Sequence, residues 1–446
     1  MVQPSGFTTA YRSESSRSKQ LYDRATQVMP GGNSRHSIVF APYPIYVHSG
    51  QGCRVTDVEG QERIDFINNA TVAILGHANP QVMEAVAKQF ARGASFAMPT
   101  EAEVDLASLL VERIDYLDKV RFCNSGSEAV MLCVKAARAF TGRPKIAKIE
   151  GAYHGSYDYA QVSLAPTPEQ WGDPWAPASV AGTGSAPSVK DDVVVMPWNN
   201  TEACVALIEK HKEHLAAVLL DPLPSALGMI APRPGFLETI RKVTREYDIL
   251  LIADEVISLR LSYQGGCYEF GIKPDLVAMG KIIGGGFPVG SVGGSDEVME
   301  IFDHTRPGKQ WVQHAGTFNA NPMTMTAGLA TMRLMTPEAF DRLNRMGDYI
   351  RDRIGDLIAR KEFPAQVTGK GSLFWVHLTN KELVDYRSFV NASHDWPLSD
   401  SLAHQMLDRG IVCINRDFGC LSTPMEKEEL DAYVDALDAS LEKLRL

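Results

Sequence analysis

Six short apolar segments alternate with longer amphipathic segments in the middle of the chain, and this alternation constrains the fold more than any other feature. The apolar segments lie at 119–125, 145–151, 192–198, 215–222, 249–256 and 275–281. Each has the length and composition of a strand that is buried on both faces. The segments between them, such as 127–141 and 235–247, have the length of crossover helices. The pattern predicts an α/β protein with a mostly parallel sheet.

The same pattern predicts how the chain divides into domains. A large domain is expected at 71–330. From about 331, an apolar-periodic helix precedes two short strand-like segments, QVTGKGSLFWVHL and IVCINR, and a charged amphipathic helix, which predicts a smaller α+β domain at 331–446. Residues 1–70 are expected to form an N-terminal arm and strands that belong to this smaller domain.

The composition argues against several classes of protein. The 446 residues carry 44 Lys and Arg against 54 Asp and Glu, a net charge of −10, which offers no basic surface for nucleic acid or an anionic membrane. No apolar run approaches the roughly 20 residues of a spanning helix, and the N-terminus lacks the apolar stretch of a secretory signal. Seven cysteines without a CxxC pair or zinc spacing indicate reduced thiols. We therefore expect a cytoplasmic protein without a metal site that acts on small molecules.

A Ser-Gly-Ser turn follows the first predicted strand of the large domain, in the segment FCNSGSEA. Ser125 and Glu128 have the spacing of a capping box, which places the free N–H groups of a first helical turn beside Gly126 and Ser127. Such a helix start binds phosphate well. An ordinary capped crossover helix would show the same pattern.

Two further strand-like segments end in charged residues. Asp254 and Glu255 follow an apolar run, where α/β folds bind their ligands and where a buried carboxylate needs a cationic partner. A salt-bridged pair and a metal ligand are the alternatives. Lys281 follows another apolar run and precedes three glycines, and an amine desolvated there can attack a carbonyl. The alternative for Lys281 is a surface lysine before a flexible loop.

A phosphate-binding turn, a buried acid and a strand-end lysine are the three parts that hold pyridoxal 5′-phosphate. The turn would bind the phosphate, Lys281 would form the Schiff base, and Asp254 would keep the pyridine nitrogen protonated. Tyr153, in Gly-Ala-Tyr-His-Gly, offers an aromatic face for the ring. His154 is either a supporting polar group or a structural histidine.

These residues lie in motifs that resemble the class III (subgroup II) aminotransferases of the fold type I pyridoxal-phosphate enzymes, over almost the full length of the chain. The motifs are MPGGNSR, FCNSGSEA, KIEGAYHGSYD, LLIADEV, PDLVAMGKIIGGGFPVG and HAGTFNANPMTMTAG. Within the class, the chain is similar to the glutamate-1-semialdehyde aminomutases and the β-phenylalanine aminotransferases. The resemblance implies a seven-stranded, mostly parallel sheet flanked by helices, a smaller α+β domain, and a homodimer with active sites at the subunit interface.

The resemblance also implies roles for single residues. It suggests three phosphate ligands, a ring-stacking residue, a pyridine-nitrogen ligand and the covalent attachment point, which are Ser125, Gly126, Ser127, Tyr153, Asp254 and Lys281. It further suggests that Thr317, in HAGTFN, binds the phosphate held by the other subunit.

Two arginines are candidates for substrate binding. Arg35 follows a glycine turn in a segment that lines the active-site entrance in the family, and its guanidinium could hold a carboxylate bidentately. Arg416, in CINRDFG, matches the arginine with which β-amino acid aminotransferases bind the α-carboxylate of the acceptor. The alternatives are a surface arginine for Arg35 and an ion pair with Asp417 for Arg416.

Departures from the family pattern favour transamination. Where aminomutases continue as Asp-Glu-Val-x-Thr-Gly-Phe-Arg, this chain has Asp-Glu-Val-Ile-Ser-Leu-Arg-Leu, which is closer to the β-amino acid enzymes. Arg416 would supply the second carboxylate anchor that an exchange of two acids needs. The segment at 182–185 and the GGGFPVG run resemble the aminomutases instead.

The expected function is ping-pong transfer of an amino group from an aromatic, β-phenylalanine-like β-amino acid to 2-oxoglutarate or pyruvate. A glutamate-1-semialdehyde 2,1-aminomutase, an amine or amino-sugar aminotransferase, and a non-catalytic pyridoxal-phosphate-binding protein are the alternatives.

Overall fold

A computed structural model describes residues 12–35, 41–307, 311–392, 396–413 and 418–444. The chain divides into two compact units. The first unit comprises Met1–Pro80, Arg342–Lys381 and Ala392–Leu446, and the second comprises Gln81–Asp341 and Glu382–Asn391. The domain boundaries expected from the sequence stay a prediction. Among the described residues, no helix has the length and apolar character to cross a membrane.

The strands are short and the helices mostly longer. The strands are β1 (Val47–Gln51), β2 (Arg54–Asp57), β3 (Glu62–Asp65), β4 (Lys119–Cys123), β5 (Lys145–Ile149), β6 (Gly172–Asp173), β7 (Ala176–Pro177), β8 (Val193–Met196), β9 (Leu215–Leu220), β10 (Leu250–Asp254), β11 (Leu276–Gly280), β12 (Gly290–Gly294), β13 (Gln366–Thr368), β14 (Leu373–His377), β15 (Ile411–Val412) and β16 (Phe418–Cys420). The helices are α1 (Arg17–Thr26), α2 (Asn68–Thr71), α3 (Pro80–Arg92), α4 (Glu101–Arg113), α5 (Gly126–Thr141), α6 (Asp158–Gln161), α7 (Thr201–His211), α8 (Phe236–Glu246), α9 (Gly266–Glu269), α10 (Asp296–Met299), α11 (Pro322–Leu334), α12 (Pro337–Lys361), α13 (Tyr386–Ala392), α14 (Trp396–Asp408) and α15 (Lys427–Leu444).

The second unit is built on a seven-stranded sheet in the order β4-β12-β11-β10-β9-β5-β8. Six strands are parallel, and only β12 runs antiparallel to its neighbours β11 and β4. Strands β8 to β12 are buried along their whole length, so the sheet is covered on both faces. The six strands and the mostly parallel sheet predicted from the apolar segments are confirmed.

The seventh strand, β12, has the sequence GSVGG and was not among the segments that the apolar pattern identified. Its glycines are needed because backbone approaches them closely. A Cβ at Gly290 would lie 2.0 Å from the carbonyl oxygen of Ser125, and one at Gly294 would lie 2.3 Å from that of Asp275. Because neighbouring backbone lies so close, β12 has glycines in place of most of the β-branched residues by which strands are recognised.

Helix α5 covers the sheet with small side chains. Ser125 caps its N-terminus, since its hydroxyl accepts a hydrogen bond from the N–H of Glu128, and Gly142 ends it in the left-handed conformation with φ 72°. Its buried face includes Ala129, Ala136 and Ala137. These small residues let the helix axis lie close to the strands.

The first unit contains two smaller sheets. One has the order β1-β2-β3-β15 and joins N-terminal to C-terminal strands, with Ile411 parallel to Ile64. The other has the order β13-β14-β16 and is antiparallel. Phe374 packs with Phe66 and Tyr433 at ring-centroid distances of 5.9 and 5.0 Å, which gives this unit an aromatic core.

Asp275, directly before β11, holds helix α8 and strand β10 together. Its carboxylate receives two hydrogen bonds from Arg241 of α8, at 2.6 and 2.7 Å, and one from the N–H of Leu251 in β10, at 2.7 Å. We expect Asp275→Ala to lower the free energy of unfolding by roughly 3 kcal/mol, because Arg241 loses its partner in a largely buried place. Denaturant unfolding followed by circular dichroism measures this change.

Asp105→Ala is the matched control. Asp105 pairs with Arg333 at 3.7 Å, and both side chains are exposed. We expect a cost below about 1 kcal/mol. Equal losses in the two variants would contradict the role given to Asp275.

Candidate active site

The candidate residues of the second unit follow the carboxyl ends of four parallel strands. Ser125 follows β4, Tyr153 and His154 follow β5, Asp254 ends β10, and Lys281 follows β11. The carboxyl ends of parallel strands share one edge of a sheet, and ligands of open α/β sheets bind there. The sheet order therefore brings residues that are distant in sequence to a common edge.

The serine turn (residues 124–127) is held by two hydrogen bonds at the start of α5. The Ser125 hydroxyl accepts from the N–H of Glu128 at 3.2 Å, and a Glu128 carboxylate oxygen accepts from the N–H of Asn124 at 2.5 Å. The first bond is one half of the predicted capping box, whereas the second goes to Asn124, one residue before the N-cap Ser125 that a capping box would use. A third bond, from the N–H of Ser156 to the Ser127 hydroxyl at 3.0 Å, joins the turn to the segment that carries Tyr153.

Glycines bring the serine turn beside the residue that precedes Lys281. A Cβ at Gly280 would lie 3.7 Å from Cα of Gly126 and 3.4 Å from the side chain of Val256. A Cβ at Gly126 would lie 2.9 Å from the same valine. Lys281 itself has φ 50°, a left-handed conformation that a lysine rarely adopts. Such strain is typical of functional sites.

Asp254 forms a buried pair with His154. Asp254 is 5% exposed and His154 1%. One Asp254 carboxylate oxygen lies 2.8 Å from Nδ1 of His154, and the other accepts from the N–H of Val256 at 3.1 Å. Burial lowers the pKa of His154 despite the opposing effect of Asp254, so the ring is neutral and Nδ1 donates. Nε2 of His154 has no hydrogen-bond partner within the described ranges.

A second buried carboxyl group lies on the neighbouring strand. Asp221 follows β9, which pairs with β10 through Leu220 and Ala253. Burial, and after it the charge of Asp254, raises the pKa of Asp221 to about 8. Asp221 is therefore mainly protonated at neutral pH.

Asp254 and Glu255 are adjacent in sequence but lie in two different environments. Glu255 accepts hydrogen bonds from the Tyr116 hydroxyl at 2.7 Å and from the N–H groups of Gly266 and Cys267 at 2.7 and 2.9 Å. Burial raises the pKa of Glu255. These contacts fix the segment after β10, whereas Asp254 contacts His154.

Two supporting residues were not predicted from the sequence. Arg387, in α13, binds both carboxylate oxygens of Glu150 at 2.9 and 3.1 Å. The ring of Tyr386 lies against Gly151, where a Cβ would come within 2.0 Å of it. Both contacts brace the segment before Tyr153. They join residues more than 230 positions apart, and no local pattern could have identified them.

The remaining candidates differ in their surroundings. Tyr153 is 52% exposed, and Thr317 is also exposed. Arg35 is exposed, and its guanidinium donates to the side chain of Asn69 at 2.7 Å. Arg416 lies outside the described residues.

Asn69 belongs to an unusual turn in the first unit. The four residues of α2, from Asn68 to Thr71, have φ between 48° and 76°, so they form one left-handed turn without glycine. Asp65 caps it by accepting from the N–H groups of Ile67 and Asn68 at 2.8 and 3.0 Å. This turn presents the amide that holds Arg35.

The comparison with protein families decides the identity. The family model for class-III aminotransferases matches residues 39–440. The chain is a class-III aminotransferase. A curated relative, the glutamate-1-semialdehyde 2,1-aminomutase of Methanothermobacter thermautotrophicus, is 38% identical over 437 residues, which are 96% of this chain and 100% of that protein.

Solved structures of transaminases have the same fold as this class-III aminotransferase. An ω-transaminase from Sphaerobacter thermophilus has a TM-score of 0.95 and 49% identity, with 98% of this chain and 100% of that chain covered. A β-phenylalanine aminotransferase from Variovorax paradoxus has a TM-score of 0.86 and 33% identity, with 96% and 94% covered. The expected fold type I architecture is confirmed.

Class-III aminotransferases use pyridoxal phosphate, and the residues at the strand edge fit this cofactor. A capped helix start is suited to a phosphate. The buried carboxyl group of Asp254 is oriented by hydrogen bonds with His154 and the N–H of Val256, and a buried carboxyl group is suited to a cationic partner such as a protonated ring nitrogen. Lys281 is the residue after Gly280, which packs beside the serine turn.

Replacing Asp221 by Asn tests the charge distribution at this edge. Because the folded protein keeps a proton on Asp221 that the unfolded chain releases above about pH 4, stability is fully present below about pH 4 and falls as pH rises toward about 8. Asn cannot ionise, so we expect Asp221→Asn to melt at a higher temperature than the wild type near pH 8. The difference should shrink at acidic pH in thermal melts of the cofactor-free protein.

The control is Asp191→Asn, since Asp191 is exposed. Its effect on the melting temperature should be small and independent of pH. If the melting temperature of Asp221→Asn minus that of the wild type falls as pH rises, Asp221 is not neutral in the folded protein.

Proposed function

We propose that this class-III aminotransferase moves the amino group of an aromatic, β-phenylalanine-like β-amino acid to a 2-oxo acid, 2-oxoglutarate or pyruvate. The observation that carries the substrate proposal is the exposed guanidinium of Arg35 held on Asn69 at 2.7 Å. A guanidinium oriented in this way can bind a carboxylate bidentately. Arg416 is proposed as the ligand of the acceptor's carboxylate, on the resemblance alone.

The residues at the carboxyl ends of the strands are proposed to have separate roles toward the cofactor. Pyridoxal phosphate, when bound, would accept the amino group and stabilise the electron pair that remains when the amine-bearing carbon loses its proton. Asp254 would hold a proton on the ring nitrogen, and its hydrogen bond with His154 would keep its carboxyl group oriented. Lys281 would hold the cofactor covalently and, once displaced, move the proton at the amine-bearing carbon.

The other contacts are proposed from the fold of the segments around them. Ser125, Gly126 and Ser127 would bind the phosphate with hydroxyl and N–H groups at the start of α5. Tyr153 would stack on the ring, and its exposed side chain is consistent with such a contact. Thr317 would bind the phosphate held by a partner subunit.

The relatives support two functions to different degrees. The ω-transaminase is more similar to this chain, at 49% identity, than the aminomutase, at 38%. The β-phenylalanine aminotransferase supports the β-amino acid as donor. A glutamate-1-semialdehyde aminomutase is the second candidate, favoured by the curated relative and by the 182–185 segment.

We also propose a cytoplasmic homodimer. Five large apolar side chains between residues 83 and 104 are exposed by 44% to 68%, namely Met83, Phe90, Phe96, Met98 and Val104. Such a group on a monomer's surface is typical of a protein interface. All seven cysteines are buried as thiols, in keeping with a reducing compartment.

Lys281→Ala tests the proposed attachment of the cofactor. We expect the visible absorbance of the lysine-bound cofactor and the aminotransferase activity to disappear together, since both need the same amine. Lys190→Ala, at an exposed lysine, should keep both. Far-ultraviolet circular dichroism checks that each variant is folded, and a fully active Lys281→Ala enzyme would contradict the proposal.

A substrate comparison separates the two candidate functions. The holoenzyme is incubated with β-phenylalanine plus 2-oxoglutarate or pyruvate, and separately with glutamate 1-semialdehyde alone. We expect β-phenylalanine to be consumed only when a 2-oxo acid is present. Turnover of the semialdehyde without any 2-oxo acid would establish the aminomutase instead.

Arg35→Ala tests the carboxylate contact. Losing a charge-assisted hydrogen bond to the substrate should lower kcat/KM for the β-amino acid by about tenfold to a hundredfold. The rate with a neutral arylalkyl amine, which has no carboxylate, should stay the same. Arg54→Ala, at an arginine that pairs with Glu429 and Glu62, is the control. Equal losses for acid and amine in Arg35→Ala would exclude a carboxylate ligand.

A further inference from the structure

Four polar side chains form a continuous hydrogen-bonded chain in the second unit. Nε of Arg121 donates to Nδ1 of His314 at 2.8 Å. Nε2 of His314 lies 3.0 Å from the side-chain amide of Asn319, and that amide lies 2.8 Å from the amide of Asn124. We call Arg121, His314, Asn319 and Asn124 the amide relay.

Donor and acceptor roles are fixed at both ends of the relay. Arginine can only donate, so Nδ1 of His314 accepts from Arg121. At the other end, the side-chain nitrogen of Asn124 donates to the side-chain oxygen of Asn319 at 2.8 Å. Between them, the side-chain nitrogen of Asn319 lies 3.0 Å from Nε2 of His314. Connected polar contacts of this kind hold their members in defined orientations.

The relay ends at the serine turn. Asn124 donates its backbone N–H to Glu128, which in turn donates its N–H to the Ser125 hydroxyl. The side chain of Asn124 is therefore anchored by Asn319 while its backbone N–H is anchored by Glu128. A shift of Asn319 must move the residue that precedes the first turn of α5.

The two central members of the relay flank Thr317. His314 and Asn319 are the first and last residues of the HAGTFN loop (residues 314–319). The N–H of Asn319 bonds to the carbonyl oxygen of Gly316 at 3.1 Å, and a Cβ at Gly316 would lie 2.5 Å from the Asn319 amide. The relay thus fixes both sides of the exposed Thr317.

We propose that His314 and Asn319 are positioning residues that couple the HAGTFN loop to the serine turn, so that Thr317 and the 125–127 segment bind cofactor phosphates as one connected unit. This inference rests on the proposed function, in which both segments bind phosphate. It assigns no contact with the cofactor to His314 or Asn319. Their effect is transmitted through Asn124 and Thr317.

The first test compares two replacements of His314. Leu can make neither the contact with Arg121 nor the contact with Asn319, whereas the amide of Gln can accept from Arg121 and offers a second polar group to Asn319. His314→Leu should raise the Kd of pyridoxal phosphate for the cofactor-free enzyme about tenfold, the effect of losing hydrogen bonds in the relay. His314→Gln should restore most of the affinity. The ³¹P resonance of the bound cofactor should shift in His314→Leu and return toward its wild-type position in His314→Gln.

Asn321→Ala is the control for general damage to this part of the chain. Asn321 caps α11 through the N–H of Met323 and donates to the carbonyl oxygen of Ala94 at 3.0 Å, and neither contact belongs to the relay. We expect a lower melting temperature with an unchanged Kd. If Asn321→Ala weakens cofactor binding as much as His314→Leu, the relay has no specific role.

A double-mutant cycle tests the coupling itself. If Asn319 acts by placing Thr317, the variant with both Asn319→Ala and Thr317→Ala should lose less affinity than the sum of the two single losses. Additive losses would overturn the coupling. The wild type separates this inference from the proposed function. Absence of the lysine-bound absorbance in wild type would mean that the proposed function has failed, whereas a normal wild type with an unchanged Kd in His314→Leu would overturn the relay alone.

Discussion

A buried hydrogen bond, from Nδ1 of His154 to the carboxylate of Asp254, is the interaction on which the strand edge depends. A buried carboxyl group needs hydrogen-bond donors or a cationic partner. His154 and the N–H of Val256 supply the donors. Burial lowers the pKa of His154, raises that of Asp221 to about 8 and lowers that of the buried Lys148 to about 7. Each of these shifts favours the neutral form of the group, so a bound cation is the partner suited to this edge of the sheet.

Backbone packing determines where that charge lies relative to the other site residues. Gly290 and Gly126 let the start of β12 and the start of α5 approach their neighbours to distances that a Cβ would prevent, and Gly280 at the end of β11 lies beside Gly126. The antiparallel strand β12 lies between β4 and β11, and its first residue, Gly290, packs against the carbonyl group of Ser125. Small residues thus replace hydrophobic ones at the places where the site is assembled.

Local patterns predicted the parts of the site that depend on neighbours in sequence. Ser125 with Glu128 was recognisable as a capping box, and Asp254 and Lys281 as polar ends of apolar strands. Contacts across long separations could not be predicted, because no local periodicity records them. Arg387 with Glu150 and His314 with Arg121 are such pairs. The left-handed turn that holds Arg35 through Asn69 was missed for another reason, since the sequence Asn-Asn-Ala-Thr contains no glycine to indicate positive φ.

The acidic character of the chain affects how anionic ligands are selected. A net charge of −10 cannot attract a phosphate or a carboxylate over long distances. Attraction must come from groups that act at hydrogen-bond range, namely the N–H groups at the start of α5 and oriented side chains such as Arg35. Contacts of this kind depend on direction as well as charge, so elements that only orient a ligand-binding group become as important as the group itself. Asn69 orients Arg35 in this way, and the amide relay has the same role toward the serine turn.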